Sequence, residues 1–500
     1  MPDGLSLRLL SVPAPAADRL SGAAIEDAVG YVDPDAVVVP GARSAQGYAS
    51  VKSAAGVETI HPQLGRNGGR VRRFTPDPDG GVHADAETGT TTLLAVQDGA
   101  VLGDLAAEPG PTSHDGAAAT HLFVPELAVE TDTTSLCATL PFADELAAIA
   151  GRVEGPLVVL AGGQPAGYHH VWTLETDRST VDVPVFGLGA TGEGPTELTP
   201  VVCTAAGTAG GDPVSTDRFG LRALDGVGAA TAETLSAAGC RTRGDVRDTA
   251  VTDLASLPGL GRESAARLHA HAEVIETGEP LKLTNGTPVK SRHGRPPLCL
   301  DIETDGLSPT IIWQFGVYDP DDDSYRAFTE RSDPTDPAGV LGAFIEWLLG
   351  NHPDRTLLTW NGYGFDYPQI ERFIRRYHPH YADAWDDRWT YDLYKWAVRD
   401  GNALLPGRTN RLDDVADALG YDGRGTGLSG ARTAAAYRRF MRNPDDPAAQ
   451  PDWERHERYC RDDCEALWYV YRAIDGADRR EPTDSGAGGA AGRQSGLTDF

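Results

Sequence analysis

The chain has 500 residues, enough for two to four domains with substantial cores. It carries 44 Lys and Arg against 73 Asp and Glu, a formal net charge of −29 that naively argues against a polyanionic partner. No apolar run reaches ~18 residues, so no membrane span is expected. The N-terminus lacks the basic and apolar regions of a signal peptide, which points to a cytoplasmic protein.

Along the first 217 residues, Ala36-Val37-Val38-Val39-Pro40 and Pro156-Leu157-Val158-Val159-Leu160-Ala161-Gly162-Gly163 read as buried parallel strands ending in turns. Helical patches near 21–29 and 141–152 separate them, so an α/β domain is expected over 1–215. Gly162 and Gly163 after a strand could cradle a phosphate or simply turn the chain. Arg66, Arg70, Arg72 and Arg73 form the densest basic patch, read as a solvated loop or a phosphate contact. His169 and His170 lack nearby partners at ligand spacing and read as structural.

Residues 224–235, with Leu224-Asp225-Gly226-Val227-Gly228, recur 33 positions later as Leu257-Pro258-Gly259-Leu260-Gly261-Arg262. Glycine in such a Gly-h-Gly turn gives φ freedom and close backbone approach, and the following helix N-terminus can hold a phosphate. The bland alternative is two helix turns whose glycines merely cap helices. The duplicated pattern resembles tandem helix-hairpin-helix motifs. That resemblance implies a small all-α DNA-binding domain over 216–290, with Gly226, Gly228, Gly259, Gly261 and Arg262 on the phosphate backbone. Residues 218–295 carry eleven Lys and Arg against nine Asp and Glu, so this segment alone escapes the acidity of the chain. Its contacts would position nucleic acid rather than read bases.

Next, Pro297-Leu298-Cys299-Leu300-Asp301-Ile302-Glu303 reads as a strand whose alternation puts Asp301 and Glu303 on one face. Paired bare carboxylates repel and call for a hard cation, Mg²⁺ or Mn²⁺. Ile311 to Tyr318 reads as a second strand, Asp319-Pro320-Asp321-Asp322-Asp323 as a turn, and Tyr325 to Thr329 as a third strand. Apolar spacing predicts a helix over 338–349, and Thr356 to Trp360 a short buried strand. That strand delivers Asn361-Gly362-Tyr363-Gly364-Phe365-Asp366-Tyr367-Pro368, which is otherwise an ordinary turn and helix start. Helices are expected near 366–377, 409–419, 431–442 and 453–474, the last carrying Tyr459-Cys460-Arg461-Asp462-Asp463.

The order Asp-x-Glu, Asn-x-x-x-Phe-Asp-x-Pro, Tyr-x-x-x-Asp resembles the DEDD exonucleases of the ribonuclease H-like superfamily, in their DEDDy branch. With Leu412-Asp413-Asp414-Val415-Ala416 and Ser429-Gly430-Ala431-Arg432, it looks most like the YprB-type domain. The resemblance spans about 296–475. It implies α/β architecture: a ribonuclease H-like mixed sheet with flanking helices. It further implies that Asp301, Glu303, Asp366 and Asp463 bind two Mg²⁺ or Mn²⁺ ions while Tyr459 orients the attacking water. Asn361 is taken as a nucleic-acid contact; Asp462 competes with Asp463 for the last role, but the Tyr-x-x-x-Asp spacing favours Asp463. The activity so implied is 3′→5′ exonuclease hydrolysis of DNA; RNA 3′ processing and a non-catalytic DNA-binding scaffold are the rivals.

Beyond about 476 a Gly-, Ala-, Ser- and Arg-rich tail is expected to be disordered. Six scattered cysteines, at 137, 203, 240, 299, 460 and 464, form no Cys-x-x-Cys pair, so reduced thiols and no zinc are expected. Lysine occurs only at 52, 282, 290 and 395, and the acid is dispersed; this composition resembles proteins of extreme halophiles. On that resemblance, acidity reflects the environment rather than the partner, although a cation-binding protein would also be acidic. In molar salt, ionic phosphate contacts weaken, so backbone N–H groups, metal and stacking must contribute more. Tyr363, Phe365, Trp385 and Trp389 are candidate stacking platforms or core packing.

Overall fold

A computed structural model describes residues 6–41, 45–60, 70–76, 82–84, 91–107, 118–132, 137–176, 179–189, 196–210, 213–289 and 294–479. Arg66, the interdomain residues 290–293 and the tail from 480 lie outside these. Among the described residues no helix is long and apolar enough to cross a membrane. The chain divides into two compact units, residues 1–272 and 273–500.

In the first unit two mixed sheets pack face to face. One runs in the order Gly207–Gly210, Glu197–Thr204, Leu7–Ser11, Ala36–Val38, Glu58–Ile60. The other is seven-stranded, with Leu157–Ala161 between Thr180–Gly187 and Ala119–Val124. Ala36–Val38 and Leu157–Ala161 are indeed buried and parallel to their neighbours, yet they belong to different sheets. Leu7, Leu9, Val38, Phe74, Phe123, Val158 and Leu160 fill the space between the sheets. Helix Gly22–Val32 contributes Ala24, Ile25 and Ala28 to a core on one outer face, and Ala143–Ala150 contributes Leu146 and Ile149 on the other. Continuous runs of Val and Leu suit strands covered on both faces.

The structure decides two open readings in this unit. The N–H groups of Gly162 and Gly163 donate to Val124 O and Leu127 O, both at 2.9 Å. A Cβ on Gly162 would meet Pro125 O at 2.0 Å, so these glycines serve the contact of two turns, the plainer of the two readings. The arginine patch is not a loop from 71 onward but a strand, Val71–Pro76. Arg70 pairs with Asp104 at 2.5 Å and Arg72 lies over the Phe74 ring. His169 stacks on Phe186 at 4.4 Å, in keeping with a structural role.

The helix-hairpin-helix segment belongs to the same unit. Helices Ala229–Ala237, Arg243–Asp248, Val251–Ala255 and Arg262–Thr277 follow one another, the second opened by a Thr242–Asp245 capping box. Arg243 forms a two-pronged ion pair with Asp27, and both side chains are buried or nearly so.

The second unit is built on a five-stranded sheet in the order Ser324–Thr329, Ile312–Asp319, Leu298–Thr304, Leu357–Thr359, Thr390–Asp392. The first three are antiparallel and the last two run parallel to Leu298–Thr304. Leu298, Leu300 and Ile302 turn to a core with helices Gly339–Asn351 and Asp366–Tyr377, through Phe344, Ile345, Ile370 and Phe373. Cys299 faces the other side, where the 24-residue helix Trp453–Gly476 lays Cys464, Leu467 and Val470. Asp452 caps that helix, accepting from Arg455 N–H at 3.1 Å. Trp385 is core rather than a stacking platform, since it packs beside Ile370 and Phe373.

Candidate active site

The side-chain period of a strand decides the first half of the site. With Leu300 and Ile302 in one core, Asp301 and Glu303 emerge together on the face beneath helix Trp453–Gly476. Asp301 lies opposite Gly316 on the neighbouring strand, and the register slips by one bulge after Glu303. Glu303 is buried.

Asp366 is brought in by a tight turn after the strand Leu357–Thr359. Asn361 adopts φ +62°, a conformation Asn tolerates better than most residues. Gly362 is obligatory because a Cβ there would meet Thr359 Oγ1 at 1.8 Å. Asp392, at the end of the fifth strand, clamps this turn. Its carboxylate accepts the N–H groups of Asn361 (2.9 Å), Tyr363 (3.1 Å) and Lys395 (3.0 Å). Asp366 then begins its helix, where the positive end of the helix dipole favours an acid. Sequence reading missed Asp392; the signal was an acid closing the short β-type run Thr390-Tyr391-Asp392.

The last helix supplies the remainder. Its adjacent acids part company: Asp462 accepts from Tyr421 Oη at 2.9 Å and Arg424 N–H at 3.1 Å, tying down a neighbouring loop. Asp463 instead sits in the field of Asp301 and Asp413, one helical turn from Tyr459. Asp301, Glu303, Asp366, Asp463 and Tyr459 are thus gathered in one place from the first strand, a turn and the last helix. Asp413, exposed on helix Leu412–Ala418, adds a further negative charge near Asp463 and Tyr459.

The electrostatics of the cluster suit a cation. Burial lifts the Asp301 carboxyl to about 7. Burial, then repulsion by Asp301, Asp463 and Asp366, raises Glu303 well above the ordinary carboxylate range. Asp366 and Asp463 are raised by burial and by Asp301. One-coordinate oxygens of Asp301 and Glu303 and the Cys460 sulfur lie within 4.8 Å of one another, a span a single ion can bridge. Hard oxygen donors in excess, mutually repelling, fit a divalent cation.

The other predicted contacts are dispersed. Gly226 and Gly259 have φ +80° and +81°, as the hairpin turns require. Gly228 and Gly261 start helices at Ala229 and Arg262; neither has positive φ, and a Cβ on either would touch nothing within 4 Å. Among the described residues no steric contact demands glycine there. Arg262 is exposed. Asn361 Oδ1 is buried with no hydrogen-bond partner among the described residues. Tyr363 and Trp389 are exposed enough to meet a ligand, whereas Phe365 packs against the core.

Residues 298–474 match the family model described as RNase_H superfamily, and residues 220–273 match that described as SAM-like helix-hairpin-helix tandem. The expected fold class is therefore met: mixed α/β with a ribonuclease H-like domain and a helix-hairpin-helix region. Among solved structures, the zinc-ion-bound form of an E. coli ExoI–single-stranded DNA complex is 19% identical, with a TM-score of 0.21. It covers 30% of this chain and 41% of that one. E. coli exonuclease I in complex with a dA16 oligonucleotide is 20% identical, covering 29% and 41%, with a TM-score of 0.20. The chain spans about two fifths of the length of these structures. No match was found among the curated proteins.

Proposed function

We propose that the chain is a metal-dependent 3′→5′ exonuclease of the DEDDy type, closest to the YprB-type domain, acting on DNA in a halophilic cell. The observation that carries this reading is the meeting of Asp301, Glu303, Asp366 and Asp463 beside the Tyr459 hydroxyl. Four acids from three distant segments, Glu303 and Asp366 among them buried, repel one another, and a divalent cation between them would relieve that repulsion.

In this reading Asp301, Glu303, Asp366 and Asp463 hold two Mg²⁺ or Mn²⁺ ions. Such ions, when bound, supply Lewis-acid activation of water and neutralise charge at the departing 3′ oxygen. Tyr459, one helical turn before Asp463, would orient the attacking water in line with the phosphorus. Asp392 keeps Asp366 at its station by holding the turn. Tyr363 and Trp389 offer faces on which terminal bases stack. The two hairpins hold the backbone of the same nucleic acid through N–H groups of their first helical turns, which have no intrahelical acceptor. Glycine at 228 and 261, unneeded for the fold, lets a phosphate approach the backbone. DNA is favoured over RNA on the strength of these hairpins.

The test is a time course on 3′- and 5′-labelled single-stranded, duplex and overhang DNA, with matched RNA, in high KCl with Mg²⁺ or Mn²⁺. A metal-dependent ladder shrinking from the 3′ end, absent in Asp301→Ala, is the expected result. DNA binding without cleavage under every metal and salt would overturn the reading in favour of a non-catalytic scaffold.

A further inference from the structure

We infer that Cys460 is a positioning residue for the carboxylate centre: its thiol holds the Asp301 carboxylate in the orientation that meets a divalent ion. This rests on the reading of Asp301 as a metal ligand, and adds a residue to it.

Cys460 is fully buried on the face of helix Trp453–Gly476 that covers the sheet. Its Sγ lies 3.3 Å from Asp301 Oδ2, so the thiol donates to that carboxylate. The sulfur is set there by the fold. Across the sheet Gly316 stands opposite Asp301, and a Cβ on Gly316 would meet Cys460 Sγ at 2.5 Å. Glycine thus opens the niche that the sulfur occupies. One turn on, Cys464 is equally buried but donates to the Gly316 carbonyl at 3.4 Å. Two cysteines of one helix therefore do different work: Cys464 closes a backbone acceptor, and Cys460 addresses a charged side chain.

The chemistry explains a thiol at this position. A methyl group would leave Asp301 Oδ2 buried with one donor fewer and free to rotate away from Glu303. A lysine or arginine would hold the carboxylate but neutralise it and compete with the cation. A neutral donor orients the carboxylate and leaves its charge for the metal. Sulfur is a weak donor, so the effect should fall at the lower end for partners that orient metal ligands, where losses run from about 10- to 100-fold.

The experiment compares Mn²⁺ affinity, by calorimetry, for the full-length wild type, Cys460→Ala, Cys460→Ser and Cys464→Ala, with thermal unfolding as a check on folding. The expectation is about a 10-fold loss in Cys460→Ala, recovery to within about 3-fold in Cys460→Ser, and no loss in Cys464→Ala. A second arm repeats Cys460→Ala in an Asp301→Ala background, where it should change nothing further. Equal affinity in wild type and Cys460→Ala, or equal losses in the alanine and serine variants, would overturn the role of Cys460 while leaving the metal centre standing. Absence of Mn²⁺ binding by wild type would instead remove the metal centre, and this inference with it. If the alanine chain does not fold, the serine variant alone decides: retained affinity supports the role, and a 10-fold loss overturns it.

Discussion

Asp392 accepts the Asn361 N–H at 2.9 Å, and through that bond an acid on the fifth strand sets the turn that presents Asp366. Two further N–H groups, of Tyr363 and Lys395, end on the same carboxylate. Asp392→Ala would leave three backbone donors short of an acceptor, at a cost of about 1–3 kcal/mol per buried group left unpaired. The expected outcome is a lower unfolding midpoint together with a loss of cleavage out of proportion to it. Asp392→Asn, which keeps one accepting oxygen, should fall between. Cleavage rates unchanged in the alanine variant would show that the turn holds itself.

The four hairpin glycines should separate into two pairs. Gly226 and Gly259 sit at positive φ, so alanine at either costs about 1–2 kcal/mol of stability. Gly228 and Gly261 have ordinary φ and open space, so alanine there should change stability by less than about 0.5 kcal/mol. The same substitutions should nevertheless weaken DNA binding several-fold, because the added methyl stands between phosphate and backbone. Anisotropy titrations beside denaturant melts decide it. Undiminished binding in the Gly228→Ala, Gly261→Ala double variant would return these residues to simple helix caps.

The metal-free protein should become less stable as pH rises. Asp301 is raised to about 7 in the fold, against roughly 4 for an ordinary carboxylate. A folded value above the unfolded one gives a contribution that is present below pH ~4 and lost as pH climbs through about 7. Glu303, Asp366 and Asp463 shift in the same direction through burial and mutual repulsion. In EDTA, therefore, the unfolding temperature should fall between about pH 5 and about pH 8, and Asp301→Ala should reduce that fall. Mg²⁺ should restore stability at the higher pH and do little at the lower, where protons compete for the ligands. A metal effect of equal size at both values would contradict this account of the cluster.

The Arg243–Asp27 pair should be a weak point of the first unit. Arg243 is 8% and Asp27 11% exposed, and Asp27 also accepts the Gly220 N–H at 2.8 Å. Arg243→Ala strands a buried carboxylate and should cost ~3–5 kcal/mol. Replacing both partners with leucine should cost much less, since no unpaired charge remains. Denaturant melts of the two variants give the comparison, and equal losses would mean that packing rather than charge dominates there.

Much of this was legible before any coordinates. Strand alternation already put Asp301 and Glu303 on one face, because a period of two is a property of the extended backbone. Helices at 366–377 and 453–474 followed from their apolar spacing, and the doubled Gly-h-Gly turn announced the hairpins. The Tyr-x-x-x-Asp spacing already favoured Asp463 over its neighbour Asp462 on the last helix. The packing of that helix adds what Asp462 does instead, accepting from the Tyr421 hydroxyl. Local chemistry could not foresee that Gly162 and Gly163 spend their N–H groups on Val124 and Leu127, or that Asp392 reaches back 31 residues to Asn361. Periodicity and turn chemistry belong to neighbours in the chain; the partners of a polar group are found wherever folding brings an acceptor, and distance along the sequence carries no trace of that.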